Sequence, residues 1–182
     1  MGKPAFGCAE IAKGVLLAIA SKCGCNKLAP KAQLNPTENN EIWETDIKKG
    51  SRFKFGTNWK SFLNTLTDER IQIAEDSIKE MLSVDDLKGK RFLDIGCGSG
   101  LFSLCAYRLG ADVVSLDYDP DSVACADFLK TNYDTGLANT WRVFEGSALD
   151  DKLFENLQDF DIVYSWGVLH HTGEMHHALE NA

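Results

Sequence analysis

The spacing of apolar positions changes near residue 88 of the chain. Before that point, Ile71, Ala74 and Ile78 recur at intervals of three and four residues, which predicts an amphipathic helix that begins at the capping pair Thr67-Asp68. After that point, short apolar runs alternate with longer amphipathic stretches. The change predicts a leading helical part followed by alternating strands and helices.

Four short runs after residue 88 have the length of strands. They cover residues 91–95, 113–117, 141–145 and 161–165, and helical patterns follow them at residues 101–109, 120–133, 150–157 and from residue 174. These strands are apolar on both faces and alternate with helices. We therefore predict an α/β fold, with a buried parallel sheet of about four strands flanked by helices.

The N-terminal part contains one apolar run, residues 14–20. The run is far shorter than the roughly 20 residues that cross a membrane, so we expect no membrane partner. Lys13 directly precedes it and no small-x-small cleavage site follows, which disfavours a signal peptide. We predict a helical extension over residues 10–21. The segment that follows is rich in Gly, Pro and Asn and ends at Asn40, which divides the chain into an N-terminal helix and linker, 1–40, and a domain, 41–182.

Composition narrows the classes of partner. The 182 residues suffice for one α/β domain, and the formal net charge of −8 disfavours a sequence-blind nucleic-acid binder. Among the six cysteines, Cys23 and Cys25 have no second pair at zinc-finger spacing. We therefore expect reduced thiols and a cytoplasmic location.

A glycine-rich loop, LDIGCGSG, follows the first strand of the domain at residues 93–100. Gly96, Gly98 and Gly100 alternate between a strand and a helix, where glycine permits tight turns and close approach of a ligand to the backbone. A dinucleotide fingerprint, G-x-G-x-x-G, would place its third glycine at position 101, which is Leu101. The spacing is G-x-G-x-G, preceded by Asp94.

The pattern D-x-G-x-G-x-G resembles the first motif of class I S-adenosylmethionine (SAM) dependent methyltransferases. The resemblance implies a Rossmann-like fold, SAM as cofactor and S-adenosylhomocysteine as its product. It also implies that the loop passes under the methionine part of SAM and that the acid lies near the ammonium group. The cofactor-binding positions implied here are Asp94, Gly96, Cys97, Gly98 and Gly100.

Two further segments resemble cofactor-binding motifs of that family. Asp117 ends the second strand, where the resemblance implies an acid that binds the ribose hydroxyls and an adenine neighbour, Tyr118. The segment after the third strand is similar to the family's G-D-A-x-x-L, but Ser147 replaces the acid. The resemblance then implies backbone recognition of adenine at Ala148 and packing by Leu149.

The fourth strand runs into the sequence S-W-G-V-L-H-H, which is similar to the family's fourth motif. The resemblance implies that Ser165 and Trp166 lie near the cofactor and that His170 or His171 acts as general base, a role that suits a neutral imidazole. All four histidines lie between residues 170 and 177, which raises the alternative of a metal site. No cysteine is near in sequence and adjacent histidines point in different directions, so we predict no metal.

A complete domain of that family has seven strands in the order 3-2-1-4-5-7-6, and this sequence supplies the first four. We therefore expect a domain incomplete after the fourth strand, whose edge strand is covered by the N-terminal segment or pairs with a second copy; of these, self-association is the prediction. The predicted function is methyl transfer from SAM to an O or N atom of a small-molecule or glycan-like acceptor. The alternative is a catalytically silent module that binds SAM or its product, or that serves only in interactions. A dinucleotide-dependent oxidoreductase is disfavoured by Leu101.

Overall fold

The computed structural model describes the backbone of residues 16–20, residue 63, and residues 65–133, 136, 138–157 and 159–182. Strands and helices alternate along the described chain from residue 91 onward. In order they are β1 Leu16–Ala20, α1 Asp68–Leu82, β2 Arg91–Ile95, α2 Leu101–Arg108, β3 Asp112–Asp117, α3 Pro120–Asn132, β4 Trp141–Glu145, α4 Asp151–Asn156, β5 Ile162–Trp166, a 3-10 turn Leu169–His171, and α5 Met175–Asn181.

The described strands form one sheet in the order β1-β5-β2-β3-β4. β2 lies between β3 and β5 and is parallel to both, and β4 continues the parallel arrangement beyond β3. The predicted α/β fold with four parallel strands is confirmed, and each of the four strands lies within one residue of its predicted bounds. The order β5-β2-β3-β4 reproduces the first four strands of the expected topology.

The predicted N-terminal helical extension is wrong over Leu16–Ala20, which form strand β1 antiparallel to β5. A short run of apolar residues contains no polar positions whose spacing would distinguish a helix from a strand. These residues form a strand because pairing with the open edge of β5 satisfies the backbone N–H and C=O groups of that edge. The expected exposed edge is therefore covered by the chain itself, and the predicted self-association loses its structural basis. The rest of residues 1–40, with the proposed boundary, lies outside the described residues.

The two faces of the sheet pack against different helices. Alternate residues of a strand point to opposite faces, and β2 shows this, since Phe92 packs in one core cluster and Leu93 in the other. The first cluster contains buried side chains of α1, α2 and α3, and the second contains those of α4 and α5. The sheet is covered on both faces, as its apolar strands predict. No helix in the described part of the chain is both long and apolar enough to cross a membrane.

Helix α1 begins and docks as its sequence predicts. The Thr67 hydroxyl accepts a hydrogen bond from the backbone N–H of Arg70 at 3.3 Å, which caps the helix. On the buried side of α1, Glu75 lies with its Oε1 2.6 Å from Nε of Arg108 on α2. Burial raises the pKa of Glu75, and the guanidinium of Arg108 opposes that shift. The ion pair therefore joins α1 to the helix that follows the glycine loop.

Candidate cofactor site

The glycine loop has a backbone that side chains would obstruct. Gly96, Gly98 and Gly100 have φ values of +73°, +55° and +80°, in the left-handed region that favours glycine. A Cβ on Gly100 would lie 2.7 Å from Cβ of Ala126 in α3, and a Cβ on Gly96 would lie 2.5 Å from Cγ2 of Val168. The loop is thus pressed against α3 on one side and against the segment after β5 on the other.

Most of the N–H groups of the loop are used within the protein. Gly96 donates to the carbonyl of Leu116 at 2.7 Å, Gly98 donates to Oδ2 of Asp117 at 2.8 Å, and Gly100 donates to a loop carbonyl at 2.9 Å. In dinucleotide-binding loops such N–H groups receive phosphate oxygens. Here these three N–H groups bond to β3 or to the loop itself, so they are not free to bind a pyrophosphate.

Three carboxylates lie at the carboxyl ends of neighbouring strands. Asp94 is on β2, Asp117 ends β3, and Glu145 ends β4 directly opposite Asp117 in the strand register. Burial raises the pKa of Asp94 to about 7 and that of Asp117 to about 6, and it also raises the pKa of Glu145. Oε1 of Glu145 is buried and has no hydrogen-bond partner. This acidic face would be stabilised by a ligand that brings positive charge and hydrogen-bond donors.

The Asp117 carboxylate is fixed by backbone donors. Its Oδ1 accepts from the N–H of Asp119 at 2.9 Å, its Oδ2 accepts from Gly98, and a backbone hydrogen bond from Tyr118 also helps to lower its pKa. A carboxylate has about four lone-pair positions, so capacity remains for a hydroxyl group of a ligand. Asp119, and not Asp117, caps α3 by accepting from Asp121 at 2.9 Å. Tyr118 is half-buried beside the carboxylate, at the position predicted for an adenine neighbour.

The segment after β4 is held in place by hydrogen bonds and by core packing. Ala148 is buried, and its carbonyl accepts from Nδ2 of Asn181 at 3.2 Å. The Ser147 hydroxyl accepts from the N–H of Leu149 at 3.1 Å. The side chains of Ala148 and Leu149 pack in the second core cluster, on the face of the sheet away from α2. Their contact with adenine stays a prediction.

The segment after β5 carries the predicted catalytic histidines. Ser165 is buried and its hydroxyl donates to the carbonyl of Ile95 at 2.9 Å, whereas Trp166 is half-buried and packs against the first core cluster. The 3-10 turn then presents His170 and His171 to solvent, with 3.9 Å between their ring centroids. Burial, and next the neighbouring His170, lower the pKa of His171, which favours the neutral imidazole that a general base needs.

Among the described residues, one further histidine and two cysteines take part in hydrogen bonding or packing of the fold. His177 on α5 is hydrogen-bonded through Nε2 to Oδ1 of Asp151 on α4 at 2.5 Å. Cys97 and Cys105 are buried, and burial raises the pKa of each thiol, so neither is a reactive thiolate. Within the described ranges, no group of three or more His, Cys, Asp or Glu side chains could hold a metal ion.

One set of residues at the site is not evident from the sequence pattern. The Ser103 hydroxyl donates to Oδ2 of Asp94 at 2.5 Å, the Ser115 hydroxyl donates to Ser103 at 2.6 Å, and the Trp141 indole donates to Ser115 at 2.8 Å. A signal was present, because Ser115 interrupts an apolar strand at a position that faces the same side as Asp94. The partners from α2 and β4 become neighbours only through the tertiary fold.

The sheet order, the glycine loop and the acidic face define the class I SAM-dependent methyltransferase, whose cofactor is SAM. A family described as "Methyltransferase domain" matches residues 93–182.

Known relatives match part of the chain. A tRNA U34 carboxymethyltransferase of Azotobacter vinelandii is 38% identical over 86 residues, which are 47% of this chain and 26% of the relative. A mitochondrial ubiquinone biosynthesis O-methyltransferase of Rattus norvegicus is 29% identical over 117 residues, 62% of this chain and 33% of the relative. The chain therefore spans about a quarter to a third of the length of these curated relatives.

A solved structure, magnesium protoporphyrin IX methyltransferase from Synechocystis PCC 6803 with bound SAM, overlaps with a TM-score of 0.49 at 18% identity, over 84% of this chain and 72% of that one.

Proposed function

We propose that this chain binds SAM across the carboxyl ends of β2, β3 and β4 and transfers its methyl group to an O or N atom of a small-molecule acceptor, releasing S-adenosylhomocysteine. The observation that carries the proposal is the acidic face formed by Asp94, Asp117 and Glu145 beside a loop of three left-handed glycines. We propose residues 41–182 as the domain that performs this function, with the cofactor side of the site within residues 91–171.

The chemistry of SAM matches what the acidic face lacks. SAM carries a sulfonium, an ammonium, a ribose diol and an adenine amine, all of which are cations or hydrogen-bond donors. Asp94 would hold the ammonium and Asp117 the ribose hydroxyls, each through charge-assisted hydrogen bonds. A dinucleotide would instead bring a pyrophosphate to a loop whose N–H groups are already engaged and whose neighbours are carboxylates. The residues of the site fit SAM and not NAD.

For the transfer step, the residues of this chain would position the acceptor and provide a general base. The sulfonium of bound SAM supplies an electrophilic methyl group. His170 or His171 would take the proton of an acceptor hydroxyl as its oxygen attacks that methyl group. The contact between Gly96 and Val168 holds the histidine-bearing turn beside the cofactor loop. Holding the acceptor in line with the methyl group is expected to supply much of the rate.

Two kinds of acceptor have support. Resemblance to a ubiquinone biosynthesis O-methyltransferase favours a small molecule with a hydroxyl group, and the formal net charge of −8 is consistent with an uncharged or cationic acceptor. The 38% identity to a tRNA U34 carboxymethyltransferase favours RNA as the second candidate. RNA would require a basic approach to its phosphates, so we place the small molecule first.

Calorimetric titration of the full chain tests the cofactor. We expect binding of SAM and S-adenosylhomocysteine and no binding of NAD. Asp117→Asn should weaken SAM binding, whereas Asp85→Asn, which changes an exposed acid in the connection between α1 and β2, should leave it unchanged. Binding of NAD alone would overturn the proposal.

Turnover assays test the chemistry. With labelled SAM and a panel of phenols, amines and tRNA, His170→Ala or His171→Ala should lower turnover more than SAM affinity. His176→Ala, which changes an exposed histidine on α5, is the matched control. Equal turnover in all three variants would remove the general base. SAM binding without transfer to any acceptor would support the catalytically silent module instead.

A further inference from the structure

A buried chain of hydrogen bonds links β4, β3 and α2 and ends on Asp94 of β2. It runs from the indole of Trp141 on β4, through the hydroxyls of Ser115 on β3 and Ser103 on α2, to Oδ2 of Asp94. The donor–acceptor distances are 2.8, 2.6 and 2.5 Å. All four residues are at most 4% exposed, so water does not compete for these groups.

The direction of the chain is fixed when Asp94 is ionised. An indole N–H donates and cannot accept, a carboxylate only accepts, and each serine hydroxyl has one proton to give. With Asp94 ionised, Trp141 therefore donates to Ser115, Ser115 to Ser103, and Ser103 to Asp94. The carboxylate is the terminal acceptor, which favours its ionised form, and successive bonds polarise one another in the same sense.

We propose that Ser103, Ser115 and Trp141 are positioning residues that hold Asp94 through Oδ2 and keep its carboxylate ready to receive the ammonium group of SAM at Oδ1. These three residues are called the relay below. The inference rests on the proposed function, since it assigns the relay to the SAM site. It is distinct from the assignment of Asp94 itself, because none of the three would touch the cofactor.

The surroundings of Asp94 explain why such a relay is needed. The titratable groups that act on it or feel its charge are Asp117 from β3, Cys97 from the loop and Tyr164 from β5, and none of them is a cation. Burial, with a smaller contribution from Asp117, raises the pKa of Asp94 to about 7, and the bond from Ser103 opposes this rise. The relay is thus the interaction in the described fold that favours the carboxylate over the carboxylic acid.

Removing the last donor should shift the pH dependence of SAM binding. A hydrogen bond to a charged group is strong enough that its loss should raise the pKa of Asp94 by about one unit or more. If the midpoint moves from about 7 to about 8, the ionised fraction at neutral pH falls about fivefold. SAM affinity at that pH should fall by at least the same factor.

The experiment measures SAM affinity by calorimetry from about pH 6 to 9 in the full-length protein. Ser103→Ala should move the pH midpoint of SAM binding upward, and Ser115→Ala should move it upward by less. Ser115→Thr keeps the hydroxyl on a strand that tolerates threonine, so its midpoint should equal that of the wild-type protein. Ser122→Ala is the matched control, because Ser122 is equally buried on α3 but lies outside the relay.

A spectroscopic signature separates this role from a merely structural one. In the wild-type protein without ligand, the ¹H–¹⁵N signal of the Trp141 indole, assigned with Trp141→Phe, should titrate with the midpoint of Asp94. In folded Ser103→Ala protein, the Trp141 indole signal should no longer follow the titration of Asp94. The wild-type titration tests the relay even if a relay variant fails to fold.

Each outcome decides between the two proposals. An upward shift in Ser103→Ala, absent in Ser122→Ala, supports the relay. If wild-type SAM binding is sound but Ser103→Ala behaves like the control, or the indole signal does not follow Asp94, the relay is refuted and the proposed function stands. If the wild-type protein binds no SAM at any pH, both proposals are overturned.

Discussion

Replacing Gly100 with alanine probes the packing between the glycine loop and α3. Gly100 has φ of +80°, and an added Cβ would lie 2.7 Å from Cβ and 2.8 Å from Cα of Ala126. The left-handed backbone alone costs an L-residue about 1 kcal/mol or more. The contact with Ala126 adds overpacking, which costs about 1–3 kcal/mol. We therefore expect Gly100→Ala to lower the free energy of unfolding by about 2–4 kcal/mol.

The chain contains a matched control for the backbone contribution. Gly89 has φ of +70°, but no heavy atom lies within 4 Å of the position that its Cβ would take. Gly89→Ala should therefore cost only the strain, about 1 kcal/mol. Urea unfolding followed by circular dichroism gives both values with the same slope, since the two variants expose the same surface on unfolding.

The difference between the two variants measures the close approach of α2 to α3. Adding Ala126→Gly to Gly100→Ala removes the atom at 2.7 Å and should recover part of the loss, although the backbone atom at 2.8 Å remains. If Gly100→Ala and Gly89→Ala destabilise the protein equally, the glycine is needed for its backbone conformation alone and the packing argument is wrong.

Three further substitutions test charged groups. The pKa of Asp94 is about 7 in the folded protein and near 3.9 in an unfolded chain, so the folded state binds more protons between these pH values. The free energy of unfolding therefore falls as pH rises from about 4 to about 7. Asp94→Asn should flatten the corresponding fall in melting temperature, and it should weaken SAM binding. Arg108→Met should destabilise the protein by about 3 kcal/mol, because it leaves buried Glu75 with only the weaker attraction of Lys79. Urea unfolding of the double variant Glu75→Leu/Arg108→Met should show recovery. Asp151 raises the pKa of His177 in the folded protein. Any stability from this pair is therefore fully present below the pKa of His177 in the unfolded chain, and it is lost as pH rises through the pKa in the folded protein. Asp151→Asn should lower the pKa of His177, which NMR titration of the imidazole measures.

The strands and helices could be predicted because local patterns and tertiary packing agree along most of the domain. The sharp bounds of β2 and β4 follow from apolar runs that end at glycines or polar turns, and Thr67 and Asp119 cap helices where their residue types predict. The glycine loop could be recognised because its left-handed positions require one residue type. In each case a single local cause determines the structure.

The failures have a common physical origin in contacts between distant segments. Residues 16–20 form a strand because the edge of β5 offers partners, a fact that no window of sequence around them contains. The relay likewise depends on Ser103 and Ser115 being 12 residues apart in sequence but hydrogen-bonded in the fold. A buried serine in an apolar run is visible in the sequence, but its partner is defined only once the sheet order is known.

The energetics of the acidic face connect the stability of the protein to its proposed ligand. Asp94 and Asp117 are ionised at a cost, because burial raises the pKa of both carboxyl groups and the negative charges repel each other. The fold offsets this cost with backbone donors on Asp117 and the serine relay on Asp94, and it leaves Glu145 Oε1 without a partner. A cationic ligand would remove the repulsion and satisfy the remaining oxygens, so part of its binding free energy comes from relieving destabilisation already present in the folded chain.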